Sequence, residues 1–193
     1  MATFMKHGLL GSLAAFVTAV ACTGCDSAPK TRGGQLALQS AVKSAIAQSQ
    51  ETDSSLTTFY RDSYGYVVFP EVGTGAFIVG GSYGEGIVFQ DDNMTGYANM
   101  TQGSIGLQVG GAQFSEMIFF KDKASYEKFI GGQWAPNANA TATAISAGAS
   151  ATADYDHGVA VFTLDPKGLM ASAAIGAQRF EFTPSGPNDP PLR

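Results

Sequence analysis

The sequence predicts an α+β fold dominated by β structure: a strongly bent antiparallel sheet or partial barrel with one or two N-terminal helices and a short mid-chain helix. Short apolar runs rich in Val, Ile and Phe alternate with glycines and turn residues between positions 65 and 120, which is typical of antiparallel strands. Val-Gly-Gly occurs at Val79–Gly81 and again at Val109–Gly111, which indicates one strand unit used more than once, with glycines where the sheet bends. A stretch of helical periodicity precedes these runs.

Length and composition narrow the class of protein. The chain has 193 residues and a formal net charge of -5, so we expect one domain with terminal appendages and no nucleic-acid partner, since nucleic-acid binders usually carry a basic stripe. Its two cysteines, Cys22 and Cys25, lie near the N-terminus, and His157 is the one histidine after the leader. We therefore expect no catalytic residues, no cofactor and no metal site.

Residues 1–24 are predicted to be a lipoprotein signal peptide. A weakly basic start is followed by an apolar segment, Leu9–Ala21, that is too short for a stable transmembrane helix. The small residues before Cys25 resemble a bacterial lipobox, which makes Cys25 the predicted site of acylation, palmitate included, and leaves Cys22 as an alternative acceptor. More than one acyl chain gives stable anchoring. The other interpretation is an ordinary secretory signal with incidental cysteines.

This leader predicts a bacterial cell-envelope protein, anchored by lipid and facing the periplasm, in either the inner or the outer membrane. Residues 25–34 are polar, contain Pro and Gly and lack periodicity, so we expect a tether. The domain is predicted over residues 35–182. Residues 183–193 are rich in proline and are predicted to be a disordered tail.

Two helices are predicted at the start of the domain. Leu38, Val42, Ala45 and Ile46 follow a 3.6-residue period, which predicts an amphipathic helix. Cap-type residues at positions 52–55 indicate that a second short helix begins there. Its buried side would consist of Leu56, Phe59 and Tyr60.

The central region is predicted to be a series of strands separated by turns. A turn is expected at Asp91–Asn93. The glycine-rich runs lack both a G-x-G-x-x-G and a G-x-x-x-x-G-K-[ST] sequence, which argues against a nucleotide site. Glu85 and Glu116 precede equivalent apolar runs, which favours a structural role, such as bonding glycine-loop amides, over a catalytic pair. The predicted strands are Tyr66–Phe69, Gly75–Gly81, Gly84–Phe89, Tyr97–Thr101, Ser104–Gly110 and Phe114–Phe120.

After the central region, Lys121–Ile130 is predicted to be a surface helix. A strand of small residues is expected at Asn139–Ala153, followed by a turn around His157 in which the neighbouring aspartates are not expected to form a metal site. A hairpin is predicted from Val159–Leu164 and Leu169–Phe182.

The chain resembles the SYLF domain family from about Leu36 to Phe182. The motifs that carry the resemblance are GYVVFP (65–70), VGGSYGEG (79–86) and GSIGLQVGG (103–111), followed by FSE and FF. SYLF domains occur in bacterial lipoproteins and in eukaryotic membrane-trafficking and actin-patch adaptors. The resemblance implies lipid contact through the N-terminal segment, but this chain has no basic cluster there to attract anionic headgroups.

The predicted function is therefore that of a non-enzymatic envelope lipoprotein whose SYLF-like domain binds a phospholipid membrane. One alternative is a scaffold or self-associating domain, with a protein partner or a second copy, attached only by its acyl anchor. Another is a carrier with an apolar cavity inside the sheet. The candidate lipid-binding residues are Leu38, Val42, Lys43, Ile46, Lys121, Lys123 and Trp134.

Each candidate group also has a structural interpretation. The apolar face of the first helix would pack on the sheet, as such faces usually do. The lysines near residue 121 alternate with acidic residues and would form a solvated face, and Trp134 would lie in the core.

Overall fold

The computed structural model describes residues 28–73, 81–103, 113–133, 142–144, 154–165, 168–172 and 178–191. Cys22, Cys25, Trp134 and the predicted strand Ser104–Gly110 lie outside the described residues. The predicted β-dominated α+β class is confirmed. The helices are α1 (Arg32–Thr52), α2 (Leu56–Asp62) and α3 (Lys123–Ile130). The strands are β1 (Gly65–Gly73), β2 (Gly81–Gln90), β3 (Asn93–Gly103), β4 (Phe114–Phe120), β5 (Ala142–Ala144), β6 (Val159–Asp165), β7 (Gly168–Ser172) and β8 (Gln178–Pro184).

All strands pair antiparallel in one sheet of order β5-β7-β6-β4-β1-β2-β3-β8. The predicted hairpin between Val159–Leu164 and the segment that begins at Leu169 is confirmed by the pairing of β6 with β7. The prediction of a single strand over Leu169–Phe182 is wrong, because β7 ends at Ser172 and β8 pairs with β3, near the opposite edge of the sheet. The alternation that marks these residues as strand does not specify which neighbour they pair with.

The two faces of the sheet carry separate apolar clusters. The face covered by α1 and α2, here called the helix face, includes Tyr66, Val68, Ile87, Phe89, Tyr97, Met117, Phe119 and Phe162. The opposite face, here called the concave face, includes Val67, Phe69, Val88, Met100, Ile118, Phe120 and Phe180, and α3 contributes Tyr126 and Phe129 to it. Both faces are buried, which explains the nearly continuous apolar runs in β1 and β4.

The sheet is strongly bent toward the concave face. β1 and β8 are three strand positions apart, which in a flat sheet is roughly 14 Å. The rings of Phe69 in β1 and Phe180 in β8 nevertheless lie 5.8 Å apart. Gly86 permits this close approach of the rings, because a Cβ there would come within 2.7 Å of both the Phe69 ring and the Val68 carbonyl oxygen. A bulge in β1 between Val68 and Glu71 accompanies it.

Helix α1 begins at Arg32, so it includes the last three residues of the predicted tether. The hydroxyl of Thr31 accepts a hydrogen bond of 3.1 Å from the Gly34 N–H and caps this helix. Helix α2 presents the predicted buried side to the sheet: Leu56, Phe59 and Tyr60. The Tyr60 ring packs edge to face against Phe119, with centroids 4.9 Å apart.

The predicted disordered tail differs from the structure over residues 183–190. Thr183 and Pro184 complete β8. The Gln35 side-chain amide donates a 2.8 Å hydrogen bond to Asp189 Oδ1, and the Gln39 amide donates a 2.6 Å hydrogen bond to the Pro190 carbonyl oxygen. The proline-rich composition predicts disorder. Proline lacks an N–H group but keeps its carbonyl oxygen as an acceptor, and the Gln39 amide of α1 donates to the Pro190 carbonyl.

Candidate functional site between helix α1 and the sheet

The predicted lipid-binding face of α1 is largely buried against the sheet. Val42 is 0% exposed and Leu38 is 9% exposed, and both belong to the helix-face cluster. Ile46 is half-buried against the same cluster, whereas Lys43 is exposed. The helical period identified the amphipathic face correctly, but burying it against β-strands already removes its apolar area from water. In this conformation Leu38 and Val42 are not available to a membrane.

The lysines beside α3 are exposed and have contacts within the domain. Lys121 places its ammonium group 5.8 Å from the centre of the Tyr155 ring. Lys123 lies 3.5 Å from Glu127 one helical turn away. Exposed pairs of this kind contribute little to stability, and they agree with the solvated face considered above. Trp134, the remaining candidate of this group, lies outside the described residues.

An open groove of about 680 Å³ lies between the N-terminal half of α1 and the neighbouring ends of β1 and β2. On the helix side it is lined by Gly34, Ala37 and Ala41, which follow one another at spacings of three and four and so share one face. Their small side chains leave the space between this part of α1 and the strands unfilled. A hydrophobic period does not reveal such a site, because the period is set by large apolar residues, and Gly and Ala contribute little to it.

Two carboxylates line the sheet side of the groove. Glu71 in β1 and Glu85 in β2 are direct cross-strand partners, so their side chains share the helix face. The Tyr83 hydroxyl donates to Glu85 Oε1 at 3.1 Å, and the Gln113 amide donates to Glu71 Oε1 at 2.7 Å. The structure does not bring Glu85 and Glu116 together, because Glu116 points into the concave face.

Asn99 in β3 extends this polar row. It is the cross-strand partner of Glu85 and therefore lies on the same face. The residue is only 6% exposed, and its Oδ1 atom is buried without a hydrogen-bond partner among the described residues. Buried acceptors are nearly always satisfied in native proteins, so this one needs an explanation. No feature of the sequence around Asn99 distinguished it from other strand residues.

Glu116 forms a second buried polar group, on the concave face. It is 0% exposed, and the Gln178 amide donates to its two carboxylate oxygens at 3.0 and 3.3 Å. Burial raises the pKa of Glu116 to about 7, and the hydrogen bond from Gln178 opposes this rise only in part. The hydrogen-bond partner of Glu116 is thus a side chain of β8, and among the described residues no glycine-loop amide donates to it.

Among the described residues, no three His, Cys, Asp or Glu side chains come close enough together to hold a metal ion. Within the same residues, no helix combines the length and the apolar character needed to cross a bilayer.

The chain is similar to Beta cell expansion factor A of Aeromonas veronii, with 24% identity over 156 residues. The match covers 79% of this chain but 59% of that protein, so the chain spans less than two thirds of the relative's length. No protein-family model matches the chain. At this identity the two proteins are distantly related. The relative's name is one used for SYLF-domain proteins, which agrees with the resemblance seen in the motifs.

Proposed function

We propose that this chain is a non-enzymatic bacterial envelope lipoprotein whose SYLF-like domain binds phospholipid through the groove beside α1. The observation that carries this proposal is the position of exposed apolar surface. Among the described residues, the large hydrophobic side chains classed as exposed are Leu36 and Tyr83, at 49% and 36%. Tyr83 lines the groove, and Leu36 precedes the groove residue Ala37 on α1. Exposed apolar side chains beside a groove are typical of an interaction site.

The groove also lies at the end of the domain that the proposed anchor would hold near the bilayer. Cys25 and Arg32 are seven positions apart, so a fully extended tether reaches about 25 Å at most. Helix α1 begins at Arg32, and Gly34 is already part of the groove. An acylated Cys25 would therefore keep the groove within a short distance of the headgroups. In this proposal the acyl chains hold the domain at the membrane, and the groove makes the specific contact with phospholipid.

The two alternatives receive less support from the described residues. The carrier alternative needs an apolar cavity within the bent sheet, but its concave side holds closely packed rings, such as Phe129 and Phe180 with centroids 5.3 Å apart. The scaffold alternative would use a sheet edge, and on the edge strand β8 the exposed residues are Arg179, Glu181 and Pro184. Charged residues on an edge strand discourage pairing with another chain.

Vesicle co-sedimentation tests the proposal, with the chain from Asp26 to Arg193, which includes every described residue but no acylation site. Ala41 lines the groove and Ala47 lies elsewhere on α1, and both are exposed. We expect A41W to fill the groove and to weaken vesicle binding about tenfold, which corresponds to about 1.4 kcal/mol. The matched control A47W should bind as the unmodified chain does.

Circular dichroism and thermal unfolding establish that both variants remain folded. Equal binding by A41W and A47W would contradict a role for the groove. If the unmodified chain binds no vesicle of any composition, the lipid-binding proposal is wrong and a protein partner should be sought.

A further inference from the structure

We propose that Asn93 is an acceptor site for an N-linked oligosaccharide. This inference rests on the export to the cell envelope contained in the proposed function, but it is independent of the groove and of lipid binding. The modification places a sugar chain beside the turn between β2 and β3, at the end of these strands that lies away from the groove.

The sequence around Asn93 contains the motif that receives N-linked sugars, which is Asn-x-Ser/Thr with any residue except proline at x. The motif occurs at Asn93, Asn99 and Asn139. In the longer motif that bacterial oligosaccharyltransferases select, an acidic residue precedes the asparagine by two positions. Asp91 supplies this residue for Asn93, whereas the other two motifs have a tyrosine and an asparagine there. The sequence therefore favours Asn93 among the three.

The exposure of the asparagines favours the same residue independently. Asn93 is exposed and is the first residue of β3, directly after the β2–β3 turn. Asp91 and Asp92 form this tight turn with φ of 48° and 60°. Asn99, in the interior of the same strand, is only 6% exposed, so a sugar there would have to displace the residues packed around it. Asn139 lies outside the described residues.

The side-chain amide of Asn93 is compatible with the transfer. Its Nδ2 donates a 2.8 Å hydrogen bond to the Asp91 carbonyl oxygen, which holds the amide beside the turn. The transfer forms a bond between this nitrogen and C1 of the first sugar, and it breaks the bond between that carbon and the diphosphate of a polyprenyl-linked oligosaccharide. One amide proton leaves with the released polyprenyl diphosphate, and the N–H that remains can still donate to Asp91.

The order of export makes the motif accessible to a transferase. In the folded domain the Thr95 hydroxyl donates to the Val88 carbonyl oxygen at 3.2 Å and lies 2.8 Å from the Tyr126 hydroxyl. Tyr126 follows Thr95 by 31 positions, so it reaches the periplasm later. Until then β3 has neither α3 nor its second neighbour β8, and segments with so few contacts open readily. The transfer therefore takes place before α3 docks.

The position of Asn93 keeps the sugar away from the groove. Tyr83, which lines the groove, and Gln90, which pairs with Asn93, are seven positions apart in β2, a distance of about 23 Å. The groove lies along one side of α1, whereas Gln39, on the other side of this helix, places its amide 3.9 Å from the Met94 sulfur. A hydrophilic sugar chain at Asn93 is thus compatible with a groove that contacts phospholipid.

The experiment expresses the full chain in a bacterium that carries an oligosaccharyltransferase of this type and its polyprenyl-linked donor, with a known acceptor protein as the positive control. We expect the intact mass to increase by one oligosaccharide, which peptide mapping locates on Asn93. N93Q should lose the sugar completely. D91N should lower the modified fraction at least tenfold, because asparagine tolerates the turn conformation but lacks the acid. The matched control D92N, in the same turn, should be modified as fully as the unsubstituted chain.

A second arm places the chain from Asp26 behind a secretory signal of known function, which tests export separately. An unmodified chain in both arms overturns the inference, as does a sugar that persists in N93Q. A sugar that persists in D91N overturns the role assigned to Asp91. Modification in the second arm alone supports the acceptor site and overturns the export contained in the proposed function. Modification in both arms without any vesicle binding supports the acceptor site and overturns lipid binding.

Discussion

Replacing Glu116 with glutamine should make the protein more stable at alkaline pH and leave its stability at acidic pH nearly unchanged. Glu116 is fully buried on the concave face, and Gln178 is its neutral donor. Burial raises its pKa from 4.5 to about 7, because a carboxylate loses its hydration there. Glutamine has nearly the same shape, keeps an oxygen that accepts from Gln178, and does not ionise.

The size of the effect follows from the pKa difference between the folded and unfolded states. A folded-state pKa above the unfolded value means that the folded protein binds the proton more tightly, so this contribution is fully present below pH 4.5 and is lost as pH rises through 7. At about 1.4 kcal/mol per pKa unit, the change from 4.5 to about 7 corresponds to about 3 kcal/mol. The E116Q variant should not lose this stability.

Urea unfolding of both chains at pH 5, 6, 7 and 8 measures the difference in the free energy of unfolding. All other titrating groups are shared, so they cancel in the comparison. The groups that face Glu116 from neighbouring strands are Phe69, Thr163 and Gln178, none of which carries a charge. A difference that does not change with pH, or one that turns against E116Q as pH rises, would refute the reasoning, since Glu116 would then be a stabilised anion.

Two further substitutions test the packing of the sheet. G86A should destabilise the domain by about 1–3 kcal/mol in thermal unfolding, because the new methyl group would meet the Phe69 ring and the Val68 carbonyl oxygen at 2.7 Å; unchanged stability would mean that the bend does not depend on this close approach. V42S should cost about 2–4 kcal/mol, because it leaves a gap and a buried hydroxyl beneath α1. If V42S instead weakens vesicle binding at full stability, Val42 contacts lipid directly.

Much of the fold could be predicted from local patterns. The buried side of α2 follows from the spacing of Leu56, Phe59 and Tyr60, and the β6–β7 hairpin follows from turn residues between apolar runs. These features depend on residues close together in sequence. The position of β8 does not, because its alternation is compatible with several neighbours and is decided by contacts such as Phe180 with Phe69.

The candidate site was harder to predict than the fold. An apolar stripe on α1 has the same sequence pattern whether it faces lipid or a sheet, so periodicity alone does not predict that Val42 is buried against the sheet. The groove results from the small residues Ala37 and Ala41, which carry no strong pattern. The row of Glu71, Glu85 and Asn99 depends on strand register, which includes a bulge in β1. Register and bulges arise from pairing between distant segments.

The docking of residues 178–190 has a consequence for the order of folding during synthesis. Gln35 and Asp189, which share a hydrogen bond, are 154 positions apart, and Gln178 reaches Glu116 across 62 positions. A nascent chain that has reached only Ser172 still lacks the strand that covers β3 and the segment that holds the start of α1. Such long-range contacts slow folding. Completion of the domain must therefore wait for its last fifteen or so residues, and a premature stop there would expose the aromatic interior to aggregation.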